Sequence, residues 1–170
     1  MSKAFTRESD DAPDRPEFRR PPAALPPGTP NYITPDGAER LRADLERLVR
    51  DERPPLASLT ADPEARHRLQ SLNQQIHQLE ETLAAVQVLP LAEASDPRVR
   101  FGMFVTVRSP DGETTRYRIV GVEETDVDQG WISWLSPLGK ALLNSEPGKP
   151  IRFRFPSGEQ ELRILARSLR

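Results

Sequence analysis

Two carboxylates, Asp62 and Glu64, flank Pro63 between two helical stripes, and carboxylate oxygens are the ligands a hard cation takes. Their positions also fit a purely structural task. Asp62 reads as a helix N-cap, Pro63 as the first helical residue, and Glu64 as a first-turn acid facing the positive end of the helix dipole. Asp51 and Glu52 lie on the preceding arm and add two more acids near the same end. The remaining candidates thin out quickly. His67 and His77 are ten residues apart, not the i, i+4 spacing of a helical zinc pair, so both read as surface histidines. No Ser–His–Asp set, Gly-rich phosphate loop or Walker pattern is visible. The absence of cysteine excludes disulfides, thiolate metal sites and a Cys nucleophile. No metal or cofactor of the chain's own is expected.

The elements that hold these acids are helical. Thr34-Pro35 reads as an N-cap followed by proline at the first helical position. Ala38, Leu41, Leu45 and Leu48 then recur at spacings of 3, 4 and 3, one stripe of a helix. Gly37 weakens the first turn by up to about 1 kcal/mol relative to alanine. Pro54-Pro55 is expected to kink or end this helix, since neither residue has a backbone donor. Leu69, Leu72, Ile76, Leu79, Leu83 and Val86 form a cleaner a/d seam. A helix from Pro63 to Val88 would be roughly 39 Å long at the helical rise per residue. Two seams joined by a short connection predict an antiparallel helical hairpin, a coiled coil closed within one chain.

Beyond Pro90 the period changes. Phe104–Val107 is strand-like, Ser109-Pro110-Asp111-Gly112 is a turn, and Thr115–Ile119 alternates as a return strand. Trp131 to Leu135 predicts a third strand and Pro137 to Leu143 a short helix. Ile151–Phe155 and Glu161–Ala166 flank Pro156-Ser157-Gly158 as a last hairpin. Trp131 and Trp134 are read as core or edge packing. The expected class is α+β: a helical hairpin followed by a small antiparallel sheet carrying one short helix. The chain divides into a Pro-rich tail over 1–30, the hairpin over 31–90, and the sheet domain over 91–170. Seven prolines within residues 1–30 predict a disordered or extended tail.

Composition narrows the partners. Charged residues make up 29% of the 170 and apolar residues 36%, which suits an elongated arm with a compact module. Residues 31–90 carry 7 Arg against 10 Asp/Glu, and residues 91–170 carry 12 Lys/Arg against 11 Asp/Glu. Neither segment has the basic excess that duplex binding needs, so strong independent DNA binding is not expected. No transmembrane run and no secretory signal are visible, and the expected location is the cytoplasm.

Several local strings in a fixed order resemble the bacterial Gre transcript-cleavage factors. They are Thr34-Pro35-Asp36-Gly37-Ala38-Glu39-Arg40-Leu41, Asp51-Glu52-Arg53-Pro54, Phe101-Gly102, Tyr117-Arg118-Ile119-Val120-Gly121, Ser136-Pro137-Leu138-Gly139-Lys140-Ala141-Leu142-Leu143 and Pro156-Ser157-Gly158-Glu159. The resemblance covers about residues 31–168 and is closer in flavour to GreB than to GreA. It implies an N-terminal antiparallel coiled coil joined to a C-terminal domain of FKBP-like fold. It further implies an accessory factor, not an enzyme, that binds bacterial RNA polymerase through its secondary channel on paused or backtracked complexes. Nascent RNA would be met at its 3′ end only within the elongation complex, and the factor would act as a monomer.

By that resemblance Ser136, Pro137, Leu138, Lys140, Ala141 and Leu142 form the polymerase-docking region, although Leu135 stands where the family usually has a polar residue. Asp62 and Glu64 would be the tip acids that assist Mg2+ supplied in the polymerase active site. The family's acidic tip motif, D-L-x-E-N, is missing, and the arms look about a dozen residues shorter, roughly 9 Å each. That shortening is shared with the Rnk-type relatives and favours a modulator over an efficient cleavage factor. A different class remains open: a structural module whose hairpin binds some other helical protein.

Overall fold

The computed structural model describes residues 25–59, 61–155 and 158–169. Most of the proposed tail, together with Pro156 and Ser157 of the last turn, lies outside the described residues. The chain is a mixed helix and sheet protein. Strand β1 (Tyr32–Ile33) leads into helix α1 (Pro35–Arg47), a π-helical stretch over Leu48–Glu52, and helix α2 (Arg53–Ser58). The long helix α3 (Pro63–Ala85) follows, then β2 (Gln87–Val88).

Thr34 caps α1 as its type and position require: its Oγ1 accepts from the Gly37 N–H at 3.1 Å. The proline pair does not end the helical path. α-helical bonding stops at Arg47, and Arg53 N–H reaches back to the Leu48 carbonyl, one residue farther than an α-helix allows. The wider turn absorbs the missing donors and lets Pro54 and Pro55 enter the first turn of α2, where proline is tolerated. The chain then reverses, and α3 packs back on the first arm. Leu48, Leu72 and Ile76 are buried at the contact, with Leu45, Leu56 and Leu79 packed around them. α3 ends at Ala85, not Val88, because the chain turns extended at Val86. Gln87–Val88 then pairs in parallel with Tyr32–Ile33, closing the base of the helical pair. Two-residue strands leave no periodic trace in a sequence, which is why this clamp is not legible there.

The second unit comprises β3 (Phe104–Arg108), β4 (Thr114–Val120), a 3₁₀ turn at Val122–Glu124, β5 (Trp131–Ser133), α4 (Pro137–Leu142), β6 (Pro150–Phe155) and β7 (Gly158–Ser168). The five strands lie in the order β5-β4-β3-β7-β6. The expectation of an all-antiparallel sheet needs correcting, because β5 runs parallel to β4. The segment from Gly121 to Gly130 carries the chain back past the end of β4, so β5 enters in the same direction. The remaining pairs are antiparallel, and a register shift at Thr106/Val107 bends β3 against β7. Gly112 takes φ +93° in the β3–β4 turn, the left-handed conformation glycine tolerates.

One face of the sheet is apolar. Val105, Val107, Ile119, Ile151, Leu162 and Ile164 are buried there with Val99 and Leu142. Leu138, Ala141 and Leu143 from the α4 segment pack onto the same cluster. The opposite face carries Phe104, Arg108, Arg116, Arg118, Trp131, Arg152, Arg154 and Arg163, since these alternate with the core residues or pair with those that do.

Candidate functional site

At the corner where the helical pair meets the sheet, a buried carboxylate organises the first turn of α1. Glu124 sits on the 3₁₀ turn, and its Oε2 accepts from the backbone N–H of Thr34 at 2.8 Å and of Gly121 at 3.1 Å. Its Oε1 accepts from the Thr34 hydroxyl, and Arg40 Nη2 approaches to 3.3 Å. A buried carboxylate needs such partners, and here they come from both units. Gly37 leaves the space: a Cβ at that position would collide with the Glu124 side chain.

A second link lies beside it. Arg118 is buried on β4, donates through Nη2 to Asp36 at 2.6 Å, and reaches the Gly102 carbonyl through Nε at 3.3 Å. The hydrogen bond from Arg118 holds the Asp36 carboxyl below its ordinary range, with partial burial pulling the other way. Two cations approach Trp131, with the Arg40 guanidinium 4.3 Å and that of Arg118 5.2 Å from its ring centroid. Tyr32 packs on Trp134 at 5.2 Å and on Phe101 at 6.2 Å between centroids. The tryptophans therefore pack, as their strand positions suggested, and both join sheet to arm. Sequence reasoning missed Glu124, Asp36 and Arg118 as a set. Only the alternation of Arg116 and Arg118 with Tyr117 and Ile119 hinted at a polar sheet face.

At the far end of the arm the tip acids are engaged locally. Asp62 Oδ1 accepts from the Glu64 N–H at 2.9 Å, the N-cap bond. Glu64 pairs with Arg68 one turn on, at 2.5 Å. Glu52 is paired with Arg47, while Asp51 is exposed. Among the described residues no group of three or more His, Asp or Glu side chains converges to hold a metal ion.

The docking candidates divide by burial. Ser136 Oγ accepts from the Gly139 N–H at 3.0 Å and donates to the Ser133 carbonyl at 2.7 Å, capping α4. Pro137 and Lys140 are exposed, whereas Leu138 and Ala141 are half-buried against the core. Leu142 is fully buried, so its side chain anchors the helix from below and offers no surface to a partner. Asp96, before β3, is held far below the usual carboxylate range by the Arg98 backbone N–H, and then by the Arg98 and Arg100 side chains. Among the described residues no helix is long and apolar enough to cross a membrane.

A helical pair is thus fixed at its root to a sheet domain, through Glu124 and the Arg118–Asp36 pair. Residues 94–167 match the family described as transcription elongation factor, GreA/GreB, C-terminal. Transcription elongation factor GreA of Syntrophobacter fumaroxidans is 36% identical over 147 residues, covering 78% of this chain and 94% of that protein. Transcription elongation factor GreB of Pseudomonas aeruginosa is 35% identical over 154 residues, covering 83% and 90%. The crystal structure of GreA factor homolog 1 of Thermus thermophilus is 26% identical and spans 82% of this chain and 99% of that one, at a TM-score of 0.39. That score is too low for its arrangement of units to bear on this one. The chain belongs to the GreA/GreB family of transcription elongation factors.

Proposed function

We propose that the protein is an RNA polymerase-binding elongation regulator of the bacterial cytoplasm that occupies the secondary channel more than it promotes transcript cleavage. Residues 31–90 act as the antiparallel hairpin entering the channel. Residues 91–170 act as an FKBP-like docking domain at its rim, with Pro137 and Lys140 on the contacting side and Ser136 holding α4 in place. Asp62 and Glu64 are the carboxylates that approach the polymerase's own Mg2+.

The observation that carries this reading is the state of those two carboxylates. Asp62 is occupied in capping α3, and Glu64 is paired with Arg68. An N-cap is worth about 1 kcal/mol, so turning Asp62 toward a cation costs the arm that much stability. A tip whose two acids are already engaged is a weak helper to a metal held by another protein.

Backtracked elongation complexes with purified bacterial polymerase test the proposal, read for both binding and RNA cleavage. Saturable binding with cleavage near the factor-free rate is expected, together with competition against a full-length Gre factor. Cleavage stimulated as strongly as by that factor would refute the occupancy reading. Failure to bind polymerase at all would leave a module whose hairpin serves another helical protein.

A further inference from the structure

The near-neutral average of residues 91–170 conceals an uneven surface. The polar face of the sheet displays six arginines, at positions 108, 116, 118, 152, 154 and 163, against Glu159 and Glu161 on the same face. Arg152 and Arg154 are matched across the strand pair by Glu161 and Glu159. Arg118 is buried against Asp36. Arg108, Arg116 and Arg163 are exposed, and among the described residues none of them is in an ion pair. Asp111, in the turn beyond Arg108, is engaged with Ser109 and the Glu113 N–H.

Two features point to a ligand. Arg108 and Arg163 are direct cross-strand partners, an arrangement in which like charges repel and destabilise the sheet. A fold keeps such a pair at no gain to itself, whereas a polyanion relieves it. Next to them, the Arg116 guanidinium sits over Phe104, 4.1 Å from the ring centroid, while the side chain stays exposed. A guanidinium plane backed by an aromatic ring is a platform on which an unpaired base stacks. Phosphates beside it would meet Arg108 and Arg163.

We propose that the open sheet face around Phe104, Arg108, Arg116 and Arg163 binds single-stranded RNA. Stacking surface beside unpaired cations favours a single strand over a duplex, whose bases are already stacked inside. The inference does not depend on polymerase binding, because the isolated chain can be tested alone.

The test is fluorescence anisotropy of the full chain with a labelled oligouridine of about a dozen nucleotides across a salt series, since sites of this kind span roughly 4–16 nucleotides. Binding near physiological salt is expected in the range of roughly 10⁻⁶–10⁻⁴ M, tightening as salt is lowered. The triple variant Arg108→Gln, Arg116→Gln, Arg163→Gln should lose at least about tenfold in affinity. Its salt slope should shrink by about 1.4, at ~0.7 for each of the two phosphate contacts on a single strand. The same variant should melt no lower than the wild type, since it removes a repulsive pair. Arg116→Lys supplies a second readout that keeps the charge: affinity falls while the salt slope stays. Equal RNA binding by the triple variant would overturn the proposal. So would equally tight binding of a polyglutamate of matched charge, which would make the face a dock for an acidic protein, or of duplex RNA.

Discussion

Gly37→Ala should destabilise this protein even though glycine-to-alanine changes inside helices ordinarily do the reverse. The helix-propensity gain is up to about 1 kcal/mol. Against it stands the Glu124 carboxylate, which occupies the space a Cβ would need. A flexible side chain end could step aside cheaply elsewhere, but this one is buried and accepts from Thr34 N–H, Gly121 N–H and the Thr34 hydroxyl. Displacing it orphans two backbone donors at about 1–3 kcal/mol each. The Arg40 contact adds no more than about 1 kcal/mol, because that side chain is 45% exposed. The net expectation is a loss of about 1–5 kcal/mol, with the donors outweighing the propensity gain. Urea unfolding of the wild type, Gly37→Ala, Glu124→Ala and the double variant measures it. With Glu124 shortened to alanine the obstruction is gone, and Gly37→Ala should change sign and stabilise by up to about 1 kcal/mol. The cycle should therefore show a coupling of at least about 2 kcal/mol. Additive effects, or a stabilising Gly37→Ala in the wild type, would refute the claim that Glu124 needs that space.

Asp36→Asn should flatten the acid limb of the stability curve. The folded carboxyl lies below its unfolded value near 3.8, so the pairing with Arg118 contributes above that pH and is lost as pH falls through the lowered value. Denaturation followed from pH 6 to 2 should show wild type and variant converging at the acid end. Ile76→Ala should cost about 2–5 kcal/mol by opening the contact between the helical arms, read by urea midpoint. Ser136→Ala should cost about 1 kcal/mol through the lost cap on α4, seen in the same assay. Asp62→Asn with Glu64→Gln should leave polymerase binding intact while abolishing whatever cleavage stimulation exists; retained stimulation would remove both residues from that role.

The parts of the fold that repeat were legible in the sequence, and the parts that close it were not. The stripe through Ala38, Leu41, Leu45 and Leu48 and the seam through Leu69, Leu72, Ile76, Leu79, Leu83 and Val86 reported local periodicity; Leu45, Leu48, Leu72, Ile76 and Leu79 meet in the contact between the arms, while Leu41, Leu69, Leu83 and Val86 are half-buried outside it. Ser136-Pro137 and Thr34-Pro35 announced caps because capping is chemistry within three residues. Glu124 to Thr34 spans ninety residues, and no local pattern in Val122-Glu123-Glu124 names its partner. The parallel entry of β5 was hidden for the same reason: strand direction is set by the path from Gly121 to Gly130, and alternation says nothing of direction. At the candidate docking helix, residue types in the sequence do not reveal sides: Leu142 and Lys140 stand in one string, yet the fold buries the first and exposes the second.

The two ends of the arm differ in a way that bears on how it would work inside another protein. Its root is held by Glu124 and by the Arg118–Asp36 pair, both long-range, both linking α1 to the sheet. Toward the tip, regular α-helix gives way at Leu48 to a π-helical stretch and then to two prolines. Among the described residues beyond Leu56, none of the first arm belongs to the buried cluster against α3, and Leu59 is left 53% exposed. A lever fixed where it meets its base, whose tip acids are held only by a local cap and an exposed ion pair, transmits direction well but positions individual atoms at the tip poorly. Metal-assisted hydrolysis demands the second, since ligand geometry must be held to fractions of an ångström. Occupying a channel demands only the first.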